Sequence, residues 1–380
     1  MRRVRQGVVV LIGVLALAAG AVPASASPDF TPRLPKTTGA LPVGKTVMHL
    51  VDWSRPDTWV PSAGSRELMV SVFHPTFVPH GRRAQYMTPL ESELLLKDGE
   101  ITSLPYDLFS RTKMNSVADA SPMGRWPLVV LSPGFTKPRA TLSGLAEDLA
   151  SHGFVVAVVD HTYENVATTF PDGRVTECVA CEITRTPETA DAFWKKLADG
   201  RAADVSFVID SLLADWGRFV DGSRIAMAGH SVGGASSVHA MMADSRIKAG
   251  INIDGMNSTP LTGELTRPFL FLGRESQYAP GTGEQSGTWE RDWASMTGWK
   301  RWLVVRGPEH ASFTDVGLLA EQAGLDVGAE LSAERTSVIT RRYVRAFFDE
   351  HLRGIPQGLL AAPSSRYPEV RFCTPDGGCA

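Results

Sequence analysis

The apolar positions of this chain fall into short unbroken runs, separated by longer stretches with helical spacing. The runs are Trp126–Ser132 (W-P-L-V-V-L-S), Phe154–Asp160 (F-V-V-A-V-V-D), Ile225–Ala228, Ile247–Ile253, Pro268–Leu272 and Trp302–Val305. A strand that is apolar at every position is covered on both faces, as strands of a parallel sheet are. Between the runs, Thr141–His152 has helical periodicity and stops at Gly153. Ala190–Leu213 is helical, with Trp216 and Phe219 extending its apolar face, and Thr336–Leu352 reads as a closing amphipathic helix. This alternation predicts an α/β fold, a mostly parallel doubly wound sheet with helices on both faces. Ahead of it, Thr46–Trp53 and Glu67–His74 read as antiparallel strands, the second ended by Pro75. Residues 86–119 hold two stretches of helical spacing, E-S-E-L-L-L-K and Y-D-L-F-S-R. They read equally as a cap over a site or as packed surface helices. Gly281–Gly287 reads as a surface loop. No linker splits the chain, so a single domain is expected over residues 46–372, between an extended lead-in (27–45) and a tail (373–380).

The amino terminus departs from this pattern. Arg2, Arg3 and Arg5 precede an uncharged apolar run from Gly7 to Val22, followed by Ala24-Ser25-Ala26. This is the layout of a secretory signal, with cleavage expected after Ala26. The run is short for a membrane span of about 20 residues, so no integral span is expected in the mature chain. Without those three Arg, 35 basic residues face 41 acidic ones. That excess of acid offers no basic patch to nucleic acid and no cationic helix to an anionic membrane. Export also puts Cys178, Cys181, Cys373 and Cys379 in an oxidising compartment. Each close couple sits in a turn-rich segment, so local pairing, Cys178 with Cys181 and Cys373 with Cys379, is expected. A zinc site is the competing reading, but the spacings differ and no His lies near.

The chemistry centres on Ile225–Gly233, I-A-M-A-G-H-S-V-G. A short apolar strand runs straight into G-x-S-x-G, with Ser231 at its centre and small, helix-compatible residues behind it. This is the nucleophile elbow of the α/β-hydrolase fold. A serine hydroxyl is a weak nucleophile and must project from a tight turn where a base can reach it. Gly229 and Gly233 keep that turn uncrowded. The fold orders its residues Ser, acid, His. Of nine His, only His310, in R-G-P-E-H-A-S-F-T-D directly after the strand W-L-V-V, follows Ser231 at a strand's carboxyl end. His310 is therefore the expected base. Two acids compete: Asp254, ending I-N-I-D-G, and Glu275, ending F-L-G-R-E. Glu275 occupies the usual acid location of the fold. Asp254 is a short carboxylate at the tip of an apolar strand, which needs a hydrogen-bonding task to be tolerated there. An ion pair with the adjacent Arg274 is the ordinary reading of Glu275. An oxyanion hole needs two backbone N–H groups; Val232 and Phe135, the latter in S-P-G-F-T, are the candidates. The Phe135 side chain would wall the acyl pocket.

The stretches S-P-G-F-T, G-H-S-V-G-G-A, I-N-I-D-G-M, F-L-G-R-E-S-Q-Y and R-G-P-E-H-A-S-F-T-D together resemble the platelet-activating-factor acetylhydrolase family, plasma and intracellular type II form. They run in consistent order from about Leu68 to Leu352. The resemblance implies an α/β-hydrolase fold, ester hydrolysis without calcium or cofactor, and the triad acid at Asp254, with Glu275 kept but not used as that acid. S-P-G-F-T and A-S-H-G-F-V-V-A-V-V-D are also similar to secreted bacterial cutinases. Those carry their acid on the later strand, where this chain has R-E-S-Q-Y with no Asp. The expected activity is that of a secreted serine esterase on short-acyl esters or oxidised, platelet-activating-factor-like phospholipids. Lipase or polyester hydrolysis is the alternative on the same fold. A non-catalytic binding protein is the alternative from another class.

Overall fold

A computed structural model describes residues 30–380, so the expected signal segment lies outside the described residues. The chain opens with β1 (Val43–Pro56) and β2 (Ser65–Pro75), paired antiparallel. Then come α1 (Pro89–Asp98), β3 (Val117–Ala118), β4 (Trp126–Ser132), α2 (Ser143–Ser151) and β5 (Val155–Asp160). A small hairpin, β6 (Thr168–Thr169) with β7 (Val175–Thr176), precedes the long α3 (Ala190–Trp216). Next are β8 (Val220–His230), α4 (Val232–Ala243), β9 (Ile247–Ile253), β10 (Phe269–Arg274), α5 (Glu275–Tyr278), α6 (Ser286–Ala294) and β11 (Lys300–Val305). The chain finishes with α7 (Asp315–Gln322), α8 (Ala333–Arg353), β12 (Val370–Thr374) and β13 (Gly378–Cys379).

Eleven strands form one sheet in the order β13-β12-β11-β10-β9-β8-β4-β5-β2-β1-β3. The block from β5 to β11 is parallel, and antiparallel strands flank it on both sides. Alternate residues of the central strands enter opposite cores. Val129 and Leu131 pack with α2 and α8 residues such as Leu149 and Phe347. Leu128 and Val130 pack with α3 and α4 residues such as Val205 and Met241. That is why these strands read as unbroken apolar runs.

Two parts of the sequence reading change. Residues 373–380 are not a free tail: β12 pairs with β11, and β13 turns back on β12 to extend the sheet. Their apolar content is too low and the strands too short for periodicity to reveal them. The stretch 281–287 is a loop only as far as Gln285, because Ser286 already opens α6. The excursion at 86–119 packs Leu95, Leu96, Leu108 and Phe109 into the same core as β4. Its helix α1 starts at a Thr88–Glu91 capping box and ends at Asp98, which reaches the loop after β4. Both cysteine couples are locally bonded, Cys178 to Cys181 and Cys373 to Cys379.

Candidate active site

Ser231 stands between the last residue of β8 and the first of α4, with φ 56° and ψ −127°. That is a strained conformation for a residue with a Cβ. Two glycines let the turn close: a Cβ on Gly233 would overlap the Ser132 carbonyl, and one on Gly255 would overlap that of Ser231. The Ser231 N–H donates to Ile253 O at 2.8 Å, which binds the turn to the tip of β9.

Asp254 follows directly at that tip, fully buried and itself at φ 53°. Its backbone N–H donates to Leu272 O on β10. Three donors converge on its carboxylate: Arg274 N to Oδ1 at 2.7 Å, Arg274 Nε to Oδ2 at 2.8 Å, and His310 Nδ1 to Oδ2 at 2.5 Å. Burial pushes the Asp254 carboxyl up, but the Arg274 charge and the His310 hydrogen bond outweigh it and bring the pKa down to about 2. His310 opens a short turn after β11, and its side chain is 42% exposed, so the ring reaches from a buried anchor toward solvent.

Glu275 is elsewhere. It bonds Arg371 at 2.5 Å, with Arg306 at 3.8 Å, and lines a cleft of about 670 Å³ together with Pro308, Glu309 and Arg371. The pairing expected between Glu275 and its neighbour Arg274 does not form. Arg274 turns instead to Asp254 and to Glu309, at 3.1 Å. Alternation at the end of β10 sends consecutive side chains to opposite sides, which sequence adjacency conceals.

His230, beside the nucleophile in the motif, faces His310. Its ring lies tilted against that of His310 with centroids 4.4 Å apart, and its Nε2 donates to His310 O at 2.9 Å. Burial, reinforced by His310, holds its pKa well below the ordinary value, so the ring stays neutral. It is the prop beneath the expected base. The signal was the x of G-x-S-x-G being a large polar residue. His230, Asp254 and His310 place ligand atoms within 4.8 Å of one another, as a metal site would. The Arg274 guanidinium on the only carboxylate of the three opposes a cation there.

On the other side of Ser231 lies the loop after β4. A Cβ on Gly134 would stand 3.3 Å from Ser231 Cβ, so this loop abuts the nucleophile position. A buried charge network holds it. Arg201 of α3, 1% exposed, donates to Pro133 O at 2.5 Å, to Ser132 Oγ at 3.1 Å and to Glu164 Oε2 at 2.7 Å. Glu164 accepts Trp59 Nε1 at 2.8 Å, and its backbone carbonyl accepts Thr136 N at 2.9 Å. Behind them, His161 links Ser132 Oγ to Asp204, which also accepts from Arg66 and Arg55. Six non-glycine described residues have positive φ, and four of them, Thr136, Tyr163, Ser231 and Asp254, lie in or beside these two regions. Strain concentrated this way marks a functional site.

This fold and this site define an ester hydrolase of the serine α/β-hydrolase class. Residues 92–183 and 195–353 match the family model of platelet-activating factor acetylhydrolase, isoform II, and the chain belongs to that family. A probable 1-alkyl-2-acetylglycerophosphocholine esterase from Arthroderma benhamiae is 29% identical over 94% of this chain and 98% of its own length. Cutinase est2 from Thermobifida alba is 27% identical over 39% of this chain and 40% of its own. Among solved structures, a ferulic acid esterase from Streptomyces cinnamoneus superposes with a TM-score of 0.80 and is 41% identical, over 91% of this chain and all of that one.

Proposed function

We propose that the chain is a secreted serine carboxylester hydrolase working through an acyl-enzyme. Ser231 attacks the ester carbonyl while His310 Nε2 takes its proton. His310 then returns that proton to the leaving alcohol. In the second half, His310 takes a proton from water as the water oxygen attacks the acyl carbonyl, then returns that proton to Ser231 Oγ as the acyl–oxygen bond breaks and the acid leaves. Asp254 accepts the Nδ1–H of His310, which fixes the tautomer that leaves Nε2 free as a base and stabilises the imidazolium. The N–H groups of Phe135 and Val232 hold the oxyanion. One observation carries this reading: the 2.5 Å bond from His310 to a thrice-bonded, buried Asp254, next to a strained serine. The local disulfides support export.

The substrate we assign is a short-acyl ester, including acetyl glycerophospholipids of the kind named for the Arthroderma relative. A second reading, esters of aromatic acids, is favoured by the ferulic acid esterase neighbour and by the aromatic rings packed on Phe135. A series of p-nitrophenyl esters from acetyl to palmitoyl, run beside methyl ferulate and an oxidised short-acyl phospholipid, tests these readings. With a closed pocket, kcat/KM holds or rises to about butyryl and then falls. A steady climb to palmitoyl with a jump at a lipid interface replaces it with a lipase. No turnover, with no organophosphonate label on Ser231, would mean a binding protein.

A further inference from the structure

Beside the loop after β4 lies a third apolar cluster, separate from the two sheet faces. Trp59, Ala180, Phe193, Trp194 and Leu197 form it, and both Phe135 and Val232 pack against it. The two residues proposed to hold the oxyanion therefore share one aromatic wall. Its rings meet edge to face: Phe135 lies 6.0 Å from Phe193 and 5.9 Å from Trp194, and Phe193 lies 5.0 Å from Trp194. Arg185 spreads over all three, its guanidinium 5.6 Å from Phe135, 4.9 Å from Phe193 and 5.7 Å from Trp194. The segment bearing Arg185 begins at the Cys178–Cys181 bridge, whose Ala180 belongs to the cluster and donates to Tyr163 O at 3.0 Å. The bridge thus tethers the Arg185 loop beside the rings.

Stacking alone would explain Arg185 as a cover for the rings. It does not explain two donors. Arg185 Nη1 and Trp194 Nε1 are both buried with no hydrogen-bond partner among the described residues, and Trp194 is only 7% exposed. Buried donors are nearly always paired, because leaving one unpaired forfeits its hydration. Two such donors on the aromatic wall against which Phe135 and Val232 pack match a ligand that brings a flat apolar body and an acceptor oxygen together.

We propose that Arg185 and Trp194 form an acyl-side subsite for an aromatic acyl group bearing ring oxygens, such as a hydroxy- or methoxy-cinnamoyl ester. This rests on the acyl-enzyme reading above, with the carbonyl held at Phe135 and Val232, and it takes the aromatic-ester reading of the substrate in place of the short-acyl one. The rings of Phe135, Phe193 and Trp194 contact the aromatic plane, and the two N–H groups donate to its oxygens. A site built to donate to a substrate oxygen discriminates strongly against the analogue lacking it.

The test compares methyl ferulate, methyl cinnamate and p-nitrophenyl acetate on the wild type, Arg185→Leu and Trp194→Phe. The wild type is expected to favour ferulate over cinnamate in kcat/KM by about tenfold or more. Arg185→Leu should lower the ferulate-to-acetate ratio by about tenfold and erase the preference over cinnamate, mainly through KM. Trp194→Phe keeps the ring, removes the donor, and should move the ratio in the same direction by less. A wild type with no preference for ferulate overturns the subsite. So does an Arg185→Leu enzyme that loses equally on all three esters, since that is what a purely structural cover would do. A wild type inert toward p-nitrophenyl acetate as well overturns the nucleophile assignment itself.

Discussion

On one side of Ser231, a single carboxylate gathers Arg274 and His310 at the tips of β9 and β10, and the histidine stands 42% exposed. On the other side, two buried cations and one partly exposed one face three buried anions behind the loop after β4: Arg201, Arg66 and Arg55 against Glu164, Asp204 and Asp57. In the proposed mechanism the first side exchanges a proton with substrate and water, which suits a ring that reaches solvent. In the same mechanism the second only keeps backbone N–H groups aimed at one point. It can be buried and dense in charge, because the proposed mechanism moves no proton through it. Buried charges of this kind are costly to assemble and costly to disturb. That makes them suited to a loop whose geometry must not change.

The strongest way to break the comparison is at its centre. Ser231→Ala should lower kcat by about 10⁴ to 10⁶, since removing a triad member leaves only binding and electrostatic stabilisation. Burst kinetics and organophosphonate labelling, read by mass spectrometry, check it. Near-full activity without Ser231 ends the mechanism. Next comes the acid. Asp254→Asn should keep the fold and cut kcat by about 10³ to 10⁴, because the amide favours the wrong His310 tautomer. Glu275→Gln, whose partners are Arg371 and Arg306, should remain within a few-fold of wild type. The reverse ranking would move the acid to β10.

The dry side predicts a different signature. Arg201→Met removes the donors to Pro133 O and Ser132 Oγ and strands Glu164 without its cation. Unfolding stability should fall by about 3–5 kcal/mol, the usual cost of breaking a buried pair. In the folded fraction, kcat should drop by roughly 10² while KM stays close to wild type, as expected when donors to the transition state lose their aim. Denaturant titration alongside steady-state kinetics separates the two effects. A rise in KM with unchanged kcat would assign Arg201 to substrate binding instead.

Most of the proton-exchanging side could be read from the chain, and most of the dry side could not. Ser231 sits in a local motif, Asp254 follows directly on an apolar run, and His310 lies in the loop five residues after another, so strand ends point to them. Arg274 was legible as a residue but not as a partner, because its role depends on which face of β10 it leaves. Arg201 and Asp204 lie within α3, where polar positions at helical spacing look like a solvated face. Only the crossing of β2, β5 and α3 makes them a buried network. Sheet edges fared likewise: β12 and β13 are too short to announce themselves and are defined by pairing and the Cys373–Cys379 bond.

The smallest effect expected is also the one that tells the two sides apart by pH. Arg274 holds two hydrogen bonds to the Asp254 carboxylate, and its charge keeps that group near a pKa of about 2. In Arg274→Met the backbone N–H still reaches Oδ1, so the acid stays in place, but the positive charge is gone. Asp254 itself should climb toward the ordinary carboxylate range and remain ionised at neutral pH. The acid limb of kcat/KM reports groups that must be deprotonated in the free enzyme; Asp254, no longer held down by the Arg274 charge, takes up its proton at higher pH, so the limb should move to higher pH in Arg274→Met. Activity at the plateau should fall only a few-fold. The matching Arg201→Met profile should be lower throughout, with its limb where the wild type has it, because no titrating group of that side takes part in the reaction. If the limb stays still in Arg274→Met and moves in Arg201→Met, the division of labour between the two sides is reversed.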